Sequence, residues 1–186
     1  MQPLSLEGGF EHAATDAAYA FRSVMNAMAK PGQILTLKGA QPPAPLSRAA
    51  GVVVLTLCDP ETPIYLAPGL DTPDLRDWIT FHTGAPIGAA GQAQFAIGGW
   101  DALALADLPL GSAAYPDRSA TVIVEMDVLA PMGATLRGPG IKDSAALSLP
   151  ETAAFQHNAG LFPRGLDFIF TCGDRLAALP RTTKVS

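Results

Sequence analysis

Apolar residues near the N-terminus recur at three- and four-residue steps, the spacing of one face of a helix. The pattern predicts an amphipathic helix over residues 15–29. Pro31 ends it, because a residue that precedes proline is pushed out of the helical region. The predicted apolar face consists of Ala14, Ala18, Phe21, Met25 and Met28.

Two further helices are predicted in the next fifty residues. Residues 46–58 have the length of a buried helix, although the run at 52–55 also favours a strand. Thr72 is a capping residue, and Pro73 suits the first helical position. The third helix therefore begins at Pro73 and is expected to run to Thr83.

Short apolar runs between turn signals predict strands. These are residues 34–38, 64–66, 94–97, 120–126 and 168–172, with a short helix or turn at 100–108. The chain holds 18 Gly and 17 Pro and shows no internal repeat. Helices that alternate with short strands and many loops indicate a layered α/β fold. We expect residues 1–186 to form a single domain of this class.

The composition excludes some partners and favours others. Hydrophobic residues make up 48% of the chain and charged residues only 16%, which suggests a surface covered by another protein. A net charge of −5 argues against binding of nucleic acid, which requires a basic face. Residues 1–10 contain no targeting signal, and no apolar run is long enough to span a membrane. We therefore expect a cytoplasmic protein.

No standard catalytic motif is present: there is no phosphate-binding loop, dinucleotide fingerprint, nucleophile elbow or metalloprotease helix. Glu61, Glu125 and Glu151 lie in unrelated segments and predict no paired-carboxylate site. Cys58 and Cys172 are far apart and do not cluster with the histidines. Two buried thiols are thus expected rather than a zinc site.

The lysines also give no sign of cofactor chemistry. None lies in an apolar setting that would favour the neutral amine required for a Schiff base. They are Lys30, Lys38, Lys142 and Lys184. We therefore expect no catalytic residue, no metal and no cofactor.

Three segments rich in proline or glycine each carry an arginine at a predicted corner: residues 136–141, 161–167 and 178–183. In the second, Arg164 stands beside Asp167. An arginine at a rigid turn can hold a carboxylate or phosphate in its fork, or can satisfy loose backbone carbonyls of the corner itself. Both interpretations stay open. The candidate anion- or partner-binding residues are Arg137, Gly138, Gly140, Arg164, Arg181, Thr182 and Thr183.

The same corners belong to a series of motifs that resembles a known family. In chain order the motifs lie at residues 21–32, 55–62, 83–86, 119–121, 136–141, 161–167 and 179–183. Each is weak alone, but their common order and compatible spacing over nearly the whole chain are specific. The chain resembles the PhnH family of the bacterial carbon–phosphorus lyase system.

The resemblance implies a fold similar to the core of pyridoxal-phosphate-dependent transferases, without the cofactor. It also implies work beside PhnG-, PhnI- and PhnJ-type subunits. That machinery transfers the ribose triphosphate of MgATP to an alkylphosphonate with release of adenine, before a radical step on another subunit. The family offers no defined catalytic residues, so we expect a required but non-catalytic subunit.

The sequence also leaves an alternative function open and predicts an assembly state. The alternative is a small phosphate- or nucleotide-binding enzyme that uses Arg137, Arg164 and Arg181. From the apolar composition and the resemblance we expect a homodimer in isolation, whose self-contact is replaced by a subunit contact in the full assembly.

Overall fold

A computed structural model describes residues 6–186. The first five residues, which belong to the predicted domain and to the stretch without a targeting signal, lie outside the described part. The elements are α1 (Ala13–Ala29), β1 (Leu35–Thr36), α2 (Arg48–Leu57), β2 (Ile64–Leu66), α3 (Pro73–Thr83), β3 (Phe95–Gly99), β4 (Thr121–Glu125), β5 (Ala134–Arg137), β6 (Ala145–Leu147), α4 (Ala153–Gly160), β7 (Asp167–Cys172), β8 (Arg175–Leu179) and β9 (Lys184–Val185).

Helix α1 forms where the periodicity predicted it, but its predicted apolar face is not the buried one. The side chains that pack into the core are small: Ala20, Val24 and Ala27. Phe21 and Met25, on the predicted face, are 48% and 52% exposed. Small residues let α1 approach its neighbours closely, so the larger apolar residues are left on the outside.

Helix α2 is enclosed on several sides, which explains why its sequence could also be interpreted as a strand. Its valines, Val52, Val53 and Val54, are fully buried. A helix that is apolar all round suits such a position. The Ser47 hydroxyl accepts from the Ala50 N–H at 3.2 Å and fixes the start, as is typical of an N-cap.

Helix α3 has the predicted bounds because its signals are local. The Thr72 hydroxyl accepts from the Leu75 N–H at 3.3 Å, and Pro73 occupies the first turn. Gly84 ends the helix with a left-handed φ of 70°, a conformation that glycine adopts at little cost. Trp78 is fully buried on the inner side.

The main sheet has six strands in the order β1-β8-β7-β4-β3-β2. Strands β2, β3, β4 and β7 are parallel, while β8 and β1 add an antiparallel edge. Both faces of the central strands are buried. Ile97, Ile123 and Ile169 pack toward α1, α2 and α3, whereas Phe168 and Phe170 face a second core that includes Phe155 of α4. The mixed α/β class is therefore as predicted.

A smaller antiparallel sheet, in the order β6-β5-β9, closes the second core. Leu136, Leu147 and Val185 point into that core. Strand β5 leads into the corner predicted at residues 136–141, while β6, α4, β8 and β9 were not predicted from the sequence. The 100–108 segment forms two short 3-10 turns, Trp100–Ala102 and Leu105–Asp107. No helix in residues 6–186 is both long and apolar enough to cross a membrane.

Candidate functional site

Arg181 lies in a corner where separate segments of the chain meet. Its main-chain N–H donates to Asp167 Oδ1 at 2.8 Å. Its guanidinium holds the same carboxylate, with Nη2 2.5 Å from Oδ2 and Nε 3.2 Å from Oδ1. The antiparallel register sets this contact, because Leu179 lies opposite Phe168 and the residues beyond them are brought together. The Arg181 and Asp167 side chains are only 12% and 21% exposed.

The other guanidinium donors of Arg181 are also occupied. Nη1 donates to the main-chain oxygens of Pro116 at 2.9 Å and Pro163 at 3.3 Å. Nη2 donates to Ser119 Oγ at 2.5 Å. An arginine side chain has five N–H donors, so every one is used within the chain. Arg181 therefore satisfies backbone carbonyls and joins the start of β7 to two proline loops.

An open groove of about 560 Å³ runs over this corner. A second groove, of about 480 Å³, shares Phe162, Arg181 and Thr182 with it and extends to Lys184. Phe162 is 63% exposed and is the largest apolar side chain in the wall. The first groove is lined by Met25, Met28, Ala29, Pro116, Asp117, Phe162, Pro163, Asp167, Pro180, Arg181 and Thr182.

The exposed face of α1 continues the groove. Met25 lines the groove wall, and Phe21 lies one helical turn before it on the same side. We call the surface made by Phe21, Met25, Met28 and Phe162 the apolar groove surface. It comprises side chains that soluble proteins normally cover when they lie close together. Phe21 and Met25 belong to the apolar face that the helical periodicity predicted, but they lie on the exposed side of α1 instead of in the core.

The Gly-Pro-Gly turn after β5 packs between the end of α1 and the C-terminal segment. Gly140 has φ of 80°, and a Cβ built there would lie 1.8 Å from the Ala29 oxygen. Gly138 has φ of 143° and approaches the Thr182 oxygen. Both candidate glycines thus have a structural reason to be glycine. Nearby, the buried Thr183 hydroxyl has no hydrogen-bond partner within residues 6–186.

The other two candidate arginines are exposed. Neither Arg137 nor Arg164 forms an ion pair with any residue of the described range. The sequence suggested Arg164 as the neighbour of Asp167, but that carboxylate is held by Arg181. Arg137 ends β5 and lies directly opposite Lys184 of β9.

Glu125 carries a half-buried carboxylate that sequence reasoning did not select. It ends β4 and accepts hydrogen bonds from the Ser47 N–H at 2.7 Å and from Thr171 Oγ1 at 3.1 Å. Burial raises the pKa of the Glu125 carboxyl above its ordinary value, against the opposing effect of these hydrogen bonds. The carboxyl ties the start of α2 to the end of the parallel strands. A charged residue near the end of the strand predicted at residues 120–126 was the available signal.

The thiols and lysines give no sign of reactive chemistry. Cys58 is buried, and burial together with nearby Asp59 raises the pKa of its thiol to about 12. Cys172 is only half-buried, so the expectation of two buried thiols is correct for Cys58 and wrong for Cys172. All four lysines are exposed. Within residues 6–186 no group of three or more His, Cys, Asp or Glu side chains could hold a metal ion.

Comparison with known proteins agrees with the motif series. The family described as bacterial phosphonate metabolism protein (PhnH) matches residues 8–186. The alpha-D-ribose 1-methylphosphonate 5-triphosphate synthase subunit PhnH of Rhizobium meliloti (strain 1021) is 39% identical over 193 aligned positions, which cover 96% of this chain and 94% of that protein. The putative C-P lyase subunit protein HtxG of Stutzerimonas stutzeri is 29% identical, with 90% of this chain and 84% of that protein covered. The chain belongs to the PhnH family.

Proposed function

We propose that this chain is a subunit of the carbon–phosphorus lyase system and contributes a protein-contact surface rather than catalytic groups. The names of both relatives support a subunit role, since one is a synthase subunit and the other a putative C-P lyase subunit. The partners proposed are PhnG-, PhnI- and PhnJ-type subunits. With them it supports transfer of the ribose triphosphate of MgATP to an alkylphosphonate.

The observation that carries the proposal is the apolar groove surface. Met25 and Phe162 are 52% and 63% exposed, and both line one groove whose floor holds the closed Arg181 corner. Aromatic and methionine side chains are enriched at protein interfaces. All guanidinium donors of Arg181 are used within the chain, so Arg181 contributes to the shape of this surface but offers no donor to a ligand. A subunit partner is therefore a better match for the groove than a charged small molecule.

Coexpression with tagged partner subunits tests this surface. Met25→Glu places a charge in the groove and should abolish copurification, because burying an unpaired carboxylate opposes association. Met132→Glu is the matched control, since Met132 is 65% exposed but does not line the groove. Retention of Met25→Glu in the complex at the level of Met132→Glu would reject the groove as the contact.

In isolation we propose that the same surface binds a second copy of the chain. A two-fold dimer closes with one self-complementary patch, and an elongated apolar helix face suits that geometry. Light scattering at micromolar concentration should give about twice the 19.3 kDa of one chain, and Met25→Glu should give the monomer mass. A monomer at all concentrations would refute the dimer without affecting the subunit proposal.

The chain alone should not release adenine from MgATP in the presence of methylphosphonate. Asp167 and Glu125 are both engaged in internal hydrogen bonds, and the groove wall is mainly apolar. Adenine formation above that of a mock preparation would favour the alternative, a small nucleotide-binding enzyme. Adenine release, rather than ATP binding alone, separates the two, since that alternative requires turnover by the isolated chain.

The finer fold relation, to the core of pyridoxal-phosphate-dependent transferases, also remains our proposal. The four parallel strands flanked by helices are compatible with it. The exposure of all four lysines supports a form without the cofactor, because an internal aldimine requires a lysine inside a pocket. An absorbance band that borohydride shifts, after incubation with pyridoxal phosphate, would contradict this part.

A further inference from the structure

The solvent face of the small sheet carries two cations at directly opposed positions. The register of β5 and β9 pairs Arg137 with Lys184 and, one step inward, Leu136 with Val185. Leu136 and Val185 are buried, so the alternation of a strand turns Arg137 and Lys184 to the solvent side, where both are exposed. Opposed residues have their Cβ atoms about 4.5–5.5 Å apart. Two positively charged side chains therefore project from neighbouring positions on the solvent side of the sheet.

The two opposed positive charges destabilise the small sheet unless an anion binds between them. Like charges opposed across a ladder destabilise a sheet. Within residues 6–186 neither cation has an ion-pair partner. The oxygen of Ser186, the residue after Val185, accepts from the Thr135 N–H at 2.7 Å. The chain as a whole is acidic, with a net charge of −5, so the pair is not part of a generally basic surface.

A hydroxyl stands next to the two cations on the same face. Thr135 precedes Arg137 by two residues in β5 and so shares its side of the sheet. The neighbouring Gly138 approaches the Thr182 oxygen, and Gly140 lies against the end of α1, which fixes the turn that follows Arg137. The register and this turn thus place an arginine, a lysine and a threonine at neighbouring positions on one face of the sheet.

The geometry points to an oxyanion site on this face, formed by Arg137, Lys184 and Thr135, that takes a phosphate or phosphonate group. The guanidinium donates two parallel N–H groups to two oxygens, the ammonium neutralises a second charge, and the hydroxyl donates to a third oxygen. This inference rests on the proposed function, in which the substrates are phosphonates and triphosphates. Arg181 takes no part, since all its donors are used internally.

Titration of the isolated chain followed by amide NMR tests the site. The probes are tripolyphosphate, methylphosphonate and, as an acidic-peptide control, hexaglutamate, all at constant ionic strength. Tripolyphosphate should shift the amides of β5 and β9. Arg137→Gln and Lys184→Gln should each weaken its binding by about tenfold, as expected for loss of one charge-assisted contact. Arg164→Gln is the control, at an exposed arginine that forms no ion pair within residues 6–186, and should leave binding unchanged.

Several outcomes would overturn the site. These are no binding by the unaltered chain, equal weakening by Arg164→Gln, or binding of hexaglutamate without binding of tripolyphosphate. The last result would assign the cations to an acidic protein partner instead. Copurification with partner subunits is measured separately, so loss of the anion site and loss of the subunit contact are distinguishable.

Discussion

Arg181 and Arg137 both stand beside a rigid turn at the end of a strand, but the fold encloses the first and leaves the second open. Pairing of β8 with β7 brings Asp167 and Arg181 together just beyond the ladder, whereas the register of β5 and β9 places an ammonium opposite Arg137. Arg181 therefore turns inward and satisfies five acceptor positions, whereas Arg137 remains in solvent. Whether such a corner is structural or available to a ligand depends on the residue opposite to it. That residue is distant in sequence for both arginines.

The largest effect is expected from opening the closed corner. Arg181→Ala should lower the free energy of unfolding by about 3 kcal/mol, because it strands the mostly buried Asp167 carboxylate and two loop carbonyls. Chemical denaturation at neutral pH measures this. Arg164→Ala, at an exposed arginine with no ion pair in the described range 6–186, should change stability by less than about 0.5 kcal/mol. Equal losses for the two variants would mean that the corner is not held by its guanidinium.

A second large effect should come from the turn beside the open arginine. Gly140→Ala forces a Cβ to within 1.8 Å of the Ala29 oxygen and requires φ of 80°. Gly69→Ala is the matched control, since Gly69 has φ of 92° and no atom within 4 Å of the added Cβ. Gly69→Ala should cost about 1–2 kcal/mol from the backbone alone. Gly140→Ala should cost distinctly more, and equal melting temperatures for the two variants would contradict the close approach to α1.

Elements with local signals were predictable from the sequence. The bounds of α3 agree with the prediction because Thr72, Pro73 and Gly84 punctuate the chain at its ends. The bounds of β2, which begins directly after Pro63, also agree. Elements formed by distant pairing were not. Strand β8 reads Arg-Leu-Ala-Ala-Leu, without the β-branched or aromatic residues that mark a strand, and exists because it pairs with β7. The buried face of α1 also depended on its neighbours, since close contact with α2 and β8 selects its small residues.

The candidate site divides in the same way. The residue types predicted that arginines at rigid corners contribute to structure or binding. The motif series indicated the family. Which arginine is enclosed could not be predicted, because strand pairing decides that Asp167 meets Arg181 and that Lys184 lies opposite Arg137. Glu125 was not predicted as a site residue for a related reason. Its hydrogen bonds come from Ser47 and Thr171, which lie far from it in the sequence.

Glu125 is intermediate between the enclosed Arg181 and the exposed Arg137. Its carboxylate is half-buried and hydrogen-bonded but forms no ion pair within residues 6–186. Its pKa is raised in the folded protein, so the folded state binds a proton more tightly than the unfolded chain. Stability should therefore fall as pH rises from the ordinary carboxyl pKa through the raised one. Glu125→Gln keeps an acceptor for the Ser47 N–H and should flatten this dependence in urea denaturation between about pH 4 and 8. Glu125→Ala leaves that donor unsatisfied and should cost about 1–2 kcal/mol at every pH. An unchanged pH profile in Glu125→Gln would assign the dependence to another group.

The smallest effect, and the sharpest test of the open corner, comes from reversing one of its charges. Arg137→Glu converts the opposed pair with Lys184 from repulsive to attractive and should raise the free energy of unfolding by about 0.2–1 kcal/mol. The gain should shrink as sodium chloride is raised from 0.05 to about 1 M, because both side chains are exposed and salt screens them. The double variant Arg137→Glu with Lys184→Glu restores a like-charge pair and should lose the gain. Arg164→Glu, which has no opposed cation on a strand, serves as the single-reversal control. A stabilisation by Arg164→Glu of the same size would trace the effect to net charge, and no stabilisation by Arg137→Glu would show that the two cations do not sense each other across the sheet.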